Sequence, residues 1–230
     1  MSVKNTDSQH KSSLLNFLIN ILLPTLILTK FSSPKYLGQE LGFLVAICMP
    51  LAYGLSEFFS TKKANVFSVI GVASIFLTGG IGLLQIDVKW LAIKEAAIPF
   101  VLGVIVIISA KGEKPLLKLL LDQLLDHEKI HAILEKENKL NAFKIQLKKA
   151  TYFFASSFFL SSILNYVLTK HLVISQTGTQ AFNEELGKLT LFSYPVIVIP
   201  SMIVMIFSFW TILSFLKKET ALTTEELFKV

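Results

Sequence analysis

The chain has 230 residues, of which 53% are hydrophobic and only 17% charged, with a formal net charge of +6. That is more apolar mass than one soluble core of this size can hide, so lipid must be the second solvent. The apolar residues gather into blocks long enough to cross a hydrocarbon layer of roughly 30 Å, and with no water there to satisfy backbone groups, blocks that lack barrel alternation must be helical.

In chain order, the first block runs from Ser13 to Phe31. It follows Lys4 and Lys11 as a signal peptide would, but no small-x-small cleavage site follows in Thr29-Lys30-Phe31-Ser32-Ser33-Pro34, so it reads as an uncleaved signal anchor. The second block, Leu41 to Phe59, holds the single cysteine, Cys48, and ends near Glu57. One thiol excludes an internal disulfide, and in apolar surroundings it is inert. The third, Asn65 to Leu84, closes with Gly79-Gly80-Ile81-Gly82. These glycines read as close helix packing, because a phosphate loop needs a preceding strand and a following Lys-Ser/Thr pair.

The fourth block, Trp90 to Ala110, carries Lys94 and Glu95 about one turn inside its outer end. A charge at mid-bilayer costs on the order of 3 kcal/mol, less near the headgroups, where lysine snorkels to water. Neighbouring helix positions point about 100° apart, so each is expected to look elsewhere for its partner. The helix dipole favours Glu95 and opposes Lys94, which should take a counter-charge such as Asp87. Two readings stay open for this pair, an interfacial anchor and a functional polar cluster.

Between blocks four and five lies a long polar segment, Lys111 to Lys149. From Pro115 its leucines recur at spacings of three and four among charged residues, which predicts an amphipathic helix started by that proline. Leu117, Leu120, Leu121 and Leu124 form the apolar face that could dock a partner helix, lie on the inner leaflet, or cover the ends of the bundle. The pattern weakens at Glu137 to Asn141, where a break would let Ala142 to Lys149 turn into the fifth span. The same helix contains His127-Glu128-Lys129-Ile130-His131, a formal match to the H-E-x-x-H zinc-protease pattern. Such a site needs a third ligand and a cleft, and the following residues offer only Glu135 and Glu137 on the same exposed helix. The match therefore reads as two surface histidines, and the chain as having no metal site, no cofactor and no catalytic residue.

The last two blocks are Ala150 to Leu168, with Asn165 as its embedded polar group, and Leu189 to Leu216. Pro24, Pro50, Pro99, Pro195 and Pro200 fall inside blocks, where proline frees an upstream carbonyl and kinks the helix. The expected fold is thus all-α, a single polytopic membrane domain of about six transmembrane helices. Its parts are a four-span portion (13–110), a cytoplasmic amphipathic segment (111–149), a two-span portion (150–216) and a cytoplasmic tail (217–230). Orientation rests on lysine, since the sequence has no arginine. With both termini in the cytoplasm, sixteen lysines lie inside and five outside, as the positive-inside rule requires. Anionic lipid then accounts for the net charge, and no nucleic acid partner is needed.

One run of features resembles a known family. Leu77-Thr78-Gly79-Gly80, a short loop with Asp87, then Trp90 and Lys94 opening an apolar helix, and Lys114-Pro115-Leu116 after it are similar to the bacterial intracellular septation protein A family of inner-membrane proteins. Leu15-Asn16-Phe17 with Leu23-Pro24, Asn165-Tyr166, and Phe182-Asn183 to Lys188 in the last external loop look like its other landmarks. The likeness is densest from about Phe67 to Leu120. The inner segment from His127 to Asn141 is longer than the family pattern, and the arginines common in its inner loops are absent. The resemblance implies a bacterial inner (cytoplasmic) membrane location and a non-enzymatic part in envelope maintenance and division. Other membrane proteins of division or elongation would be the partners, with self-association into a homo-oligomer as a further option. The family's polar positions correspond to Asp87, Lys94, Asn165 and Lys188. The competing expectation is a small transporter or lipid-handling protein whose polar path uses Lys94, Glu95 and Glu57, with Asp87 and Asn165 as further ligand contacts.

Overall fold

The structure, a computed structural model, describes residues 18–61, 66–112 and 115–228, and within them all side chains except those of 19–20 and 57–72. It is helical throughout, with no strand among the described residues. The first helix, α1, runs through three consecutive pieces, Leu18–Leu22, Leu23–Leu26 and Ile27–Phe31, the outer two in the wide π form. It is followed by α2 (Gly38–Thr61), α3 (Val66–Leu83) and α4 (Lys89–Ser109). Two short helices, α5 (Leu116–Leu124) and α6 (His127–Lys136), lead to the long α7 (Leu140–Leu172). Then α8 runs through Gln180–Ser193, Tyr194–Val198 and Ile199–Thr220, and one turn, α9 (Thr224–Leu227), follows. Among the described residues four helical stretches are long and apolar enough to cross a membrane: Gly38–Ser56, Lys89–Ser109, Leu140–Leu172 and Gln180–Thr220. Ala73–Leu83 adds a shorter apolar helix. Residues 13–17 of the expected block Ser13 to Phe31, and Asn65 at the head of the expected block Asn65 to Leu84, fall outside the described residues.

Proline accounts for two of the three wide pieces. Pro24 follows the first π piece and Pro195 lies inside the piece Tyr194–Val198. A proline ring clashes with the carbonyl four residues back, and a wider turn relieves the clash without breaking the helix. Pro50 and Pro99 sit inside α2 and α4. Hydroxyls on these helices bond back to their own backbone, as with Thr29 to the Thr25 carbonyl (2.8 Å) and Ser32 to that of Leu28 (2.6 Å). In an apolar surrounding this leaves the donor satisfied at no cost to the helix ladder.

The chain divides into two compact units. The first, residues 1–96 and 165–196, has a core that includes Leu28, Phe43, Ala46, Leu91, Phe182 and Leu186. Six helix ends gather in it. Ser32, just after α1, lies so close to Gly42 of α2 that an added Cβ would fall 2.7 Å from the Ser32 Cα. The Asn183 amide on α8 donates to the Gln39 carbonyl at the start of α2 (2.8 Å). Thr177, in the loop between α7 and α8, donates to the Ile86 carbonyl between α3 and α4 (3.0 Å). Gly187 of α8 faces α1 so tightly that its Cβ would meet the Thr29 methyl at 2.6 Å.

The second unit, residues 97–164 and 197–230, packs Leu117, Leu121, Leu125, Ile130, Leu134, Leu147, Ile212, Leu216 and Leu227 together. Here α7 and α8 run side by side. The Ser208 hydroxyl donates to the Ala150 carbonyl (2.7 Å), the Gln146 amide to that of Thr211 (3.3 Å), and Phe143 stacks on Phe215 at 6.2 Å. Ala221 leaves α8 in the left-handed conformation, with φ of 56°, and turns the chain back. The strap that follows is closed by a capping box between Thr223 and Glu226, and the Asp126 amide donates to the Leu227 carbonyl (2.9 Å). Leu125 and Phe228 form an isolated antiparallel bridge.

Two boundaries differ from expectation. The amphipathic segment is two helices, broken at Leu125–Asp126, where Leu125 is extended and Asp126 caps α6 through the Lys129 amide (3.2 Å). The break expected at Glu137 to Asn141 does occur, and α7 then continues unbroken from Leu140. The loop between α7 and α8 is shorter than expected: Phe182, Asn183 and Lys188 lie within α8, whose cap is Thr179. Amphipathic turns can continue a helix beyond its apolar block, which the hydropathy pattern alone does not register.

Candidate functional site

Three polar side chains of the apolar helices α3 and α4, those of Ser74, Thr78 and Glu95, meet at Lys94. Its side chain is only 7% exposed, and its ammonium donates to the hydroxyls of Ser74 (3.1 Å) and Thr78 (2.7 Å) on α3 and to Glu95 at 2.7 Å. Ser74 and Thr78 lie four residues apart and so share one face of α3. The Thr78 hydroxyl in turn donates to the Ser74 carbonyl (3.0 Å). Here the sequence expectation is corrected twice. Lys94 and Glu95 are direct partners, because two flexible side chains can curl together although their Cβ atoms diverge. Asp87 instead pairs with Lys89, at 3.1 Å in the exposed loop. The Asp87 carboxyl is held below the usual carboxylate range, first by the Lys89 amide N–H and then by the Lys89 ammonium.

Asn165 is half-buried on α7 and engaged within the protein. The Glu57 side chain lies outside the described ones. The sequence reading missed Ser74 and marked Thr78 only as part of the Leu77-Thr78-Gly79-Gly80 run, not as a partner of Lys94; their spacing of four opposite a buried lysine is the signal that could have found them. It also missed Glu185, whose carboxylate accepts from the amides of Ile174 (2.9 Å) and Ser175 (2.8 Å) and the Ser175 hydroxyl (2.6 Å), tying down the loop between α7 and α8. Beside that loop is a cavity of about 210 Å³ lined by Gln39, Glu40, Phe43, Gln85 and Asn183 among others.

In the second unit, the four leucines expected as a docking face divide. Leu117 and Leu121 are buried in the core, Leu120 is half-buried, and Leu124 is exposed, as is Leu119 beside them. Burying a leucine contributes about 2 kcal/mol, so the buried pair serves to hold α5 onto α7 and α8. His127 and His131 stand one turn apart with ring centres 5.7 Å from each other. His127 approaches Asp122 at 3.3 Å and His131 approaches Glu135 at 3.8 Å. Among the described residues no group of three or more His, Cys, Asp or Glu side chains is placed to hold a metal ion. An open groove of about 910 Å³ beside them is lined by Asp122, Asp126, Glu128, Glu225, Glu226 and Phe228 among others. The Glu226 carboxyl is held low by the Thr223 amide first and the Thr223 hydroxyl second.

No family model, curated protein or solved structure matches the chain.

Proposed function

We propose that this chain is a non-enzymatic scaffold of the bacterial inner membrane, of the kind its resemblance to intracellular septation protein A implies. In this reading it crosses the bilayer six times, with both termini and the α5–α6 pair in the cytoplasm. It contributes to envelope maintenance and division by contacting membrane proteins of division or elongation, with self-association into a homo-oligomer as a second mode. The observation that carries the proposal is the engagement of Lys94. A lysine that works in transport should face a shared water-filled path, whereas one in a scaffold should pair across helices. The Lys94 ammonium is taken up by Glu95, Ser74 and Thr78, and neither cavity described above is lined by it.

With Leu117 and Leu121 turned inward, the docking surface of α5 reduces to its exposed leucines, Leu119 and Leu124, at 47% and 51% exposure. Photo-crosslinkers placed at these two positions in native membranes should capture a membrane protein of the division or elongation machinery, while one at buried Leu121 should not. Crosslinks to lipid alone from both exposed positions would overturn the proposal.

A further inference from the structure

We propose that the second unit binds one anionic phospholipid on the outer face of α7 and α8, with the headgroup held by Lys149 and Lys217 and an acyl chain laid on Phe153, Phe207 and Trp210. The inference rests on the membrane-spanning reading of α7 and α8 and not on the scaffold role. Three large aromatic side chains are bare on this face, Phe153 at 46%, Phe207 at 44% and Trp210 at 59% exposure. They also touch one another: Phe153 meets Phe207 edge-on at 5.5 Å, and Phe207 lies 5.7 Å from Trp210. The result is a continuous aromatic platform across two helices.

The lysines sit where a headgroup would. Lys149 precedes Phe153 by four residues and Lys217 follows Trp210 by seven, so each shares a face with the ring below it. The bond from Ser208 to the Ala150 carbonyl sets the two helices level. At 1.5 Å per residue this puts Lys217 about 12 Å beyond Lys149 along the axis. Side chains lean toward the N-terminus of their own helix, and the two helices are antiparallel here. Lys149 therefore leans toward Lys217 and Lys217 leans back toward Lys149, closing much of that gap over the aromatic platform. Both lysines are exposed, and neither is among the ion pairs of the described residues. A free phosphate ion would satisfy the ammonium groups but leave the rings bare. A phospholipid covers both.

The test uses the full chain carrying Trp90→Phe, so that Trp210 is the remaining fluorophore, reconstituted with dibrominated phosphatidylglycerol or dibrominated phosphatidylcholine at equal mole fraction. Quenching should show an apparent preference for phosphatidylglycerol of roughly fivefold or more, the size expected when lysines engage an anionic headgroup. Lys149→Gln with Lys217→Gln should bring the preference to near one. Lys149→Arg with Lys217→Arg should keep it, as should Lys136→Gln, which removes an exposed charge elsewhere in the unit. Equal quenching of the parent by the two lipids would overturn the site. So would an equal loss in Lys136→Gln, which would show diffuse charge attraction only. Quenching by neither lipid would overturn the lipid-facing placement of α8 as well.

Discussion

Lys94 brings a full charge into an apolar helix, and three short contacts from Glu95, Ser74 and Thr78 offset what that costs. Removing one member of a buried ion pair strands the other, whereas replacing both by neutral groups of similar volume is often nearly neutral. Lys94→Met alone should therefore lower stability in detergent by about 3 kcal/mol, and Lys94→Met with Glu95→Gln should recover most of the loss. Equal thermal unfolding midpoints for the single and double variants would show that the pair is not coupled. Glu226 makes a different prediction. Its carboxyl is depressed in the fold by the Thr223 amide and hydroxyl, so the charged form supports the capping box at neutral pH. That support is lost as pH falls through the depressed folded value, below the usual carboxylate range. Amide exchange over Thr223–Leu227, corrected for the intrinsic acid dependence, should speed up in that window, and Glu226→Gln should remove the pH dependence.

At the level of elements, contact distances between backbones decide which substitutions are tolerated. Gly42 presses α2 onto the backbone of Ser32, so Gly42→Ala forces a main-chain shift and should cost about 1 to 3 kcal/mol. Gly80 has open space where a Cβ would go, and Gly80→Ala should leave the unfolding midpoint unchanged or raised. The strap supplies a second contrast. Leu227 is completely buried among Leu117, Leu121, Leu134 and Leu216. Leu227→Ala should destabilise the second unit by about 3 kcal/mol. It should also open the Leu222–Phe228 stretch to limited proteolysis, while the exposed Phe228→Ala should not. The long apolar blocks were readable in the sequence because hydropathy is additive along a helix. Helix ends were less readable, since Leu140 and Gln180 begin their helices in polar sequence ahead of the apolar blocks, the second behind a Thr179 cap. Thr223-Thr224-Glu225-Glu226 is a legible capping motif. The burial of Leu227 is not legible, because it depends on Ala221 turning the chain back. Of the polar site, the sequence marked Lys94 and Glu95 but paired them wrongly, since side-chain reach rather than Cβ direction decides that contact.

For the whole chain, the six-crossing proposal rests on which helix ends meet in the first unit. The starts of α2 and α8, the ends of α1 and α7, and the loop from α3 to α4 are joined there by the Ser32–Gly42, Asn183–Gln39 and Thr177–Ile86 contacts. If α2 and α4 both start at this end and both cross, the chain must return between them. Helix α3, 18 residues long, spans about 27 Å at 1.5 Å per residue, close to a hydrocarbon core of roughly 30 Å. The same parity makes α1 run toward this end and α7 return to it. In the proposed arrangement lysine sets the sidedness, which would put Lys136, Lys139, Lys144 and Lys148 on the cytoplasmic side. In a Cys48→Ser background, Gln176→Cys should react with a membrane-impermeant maleimide on intact cells. Glu137→Cys and Lys63→Cys should react only after permeabilisation. Labelling of Lys63→Cys on intact cells while Glu137→Cys stays protected would remove the return through α3 and with it the six-crossing arrangement. Labelling of Glu137→Cys on intact cells would invert the sidedness and place the α5–α6 pair beyond the reach of any cytoplasmic partner.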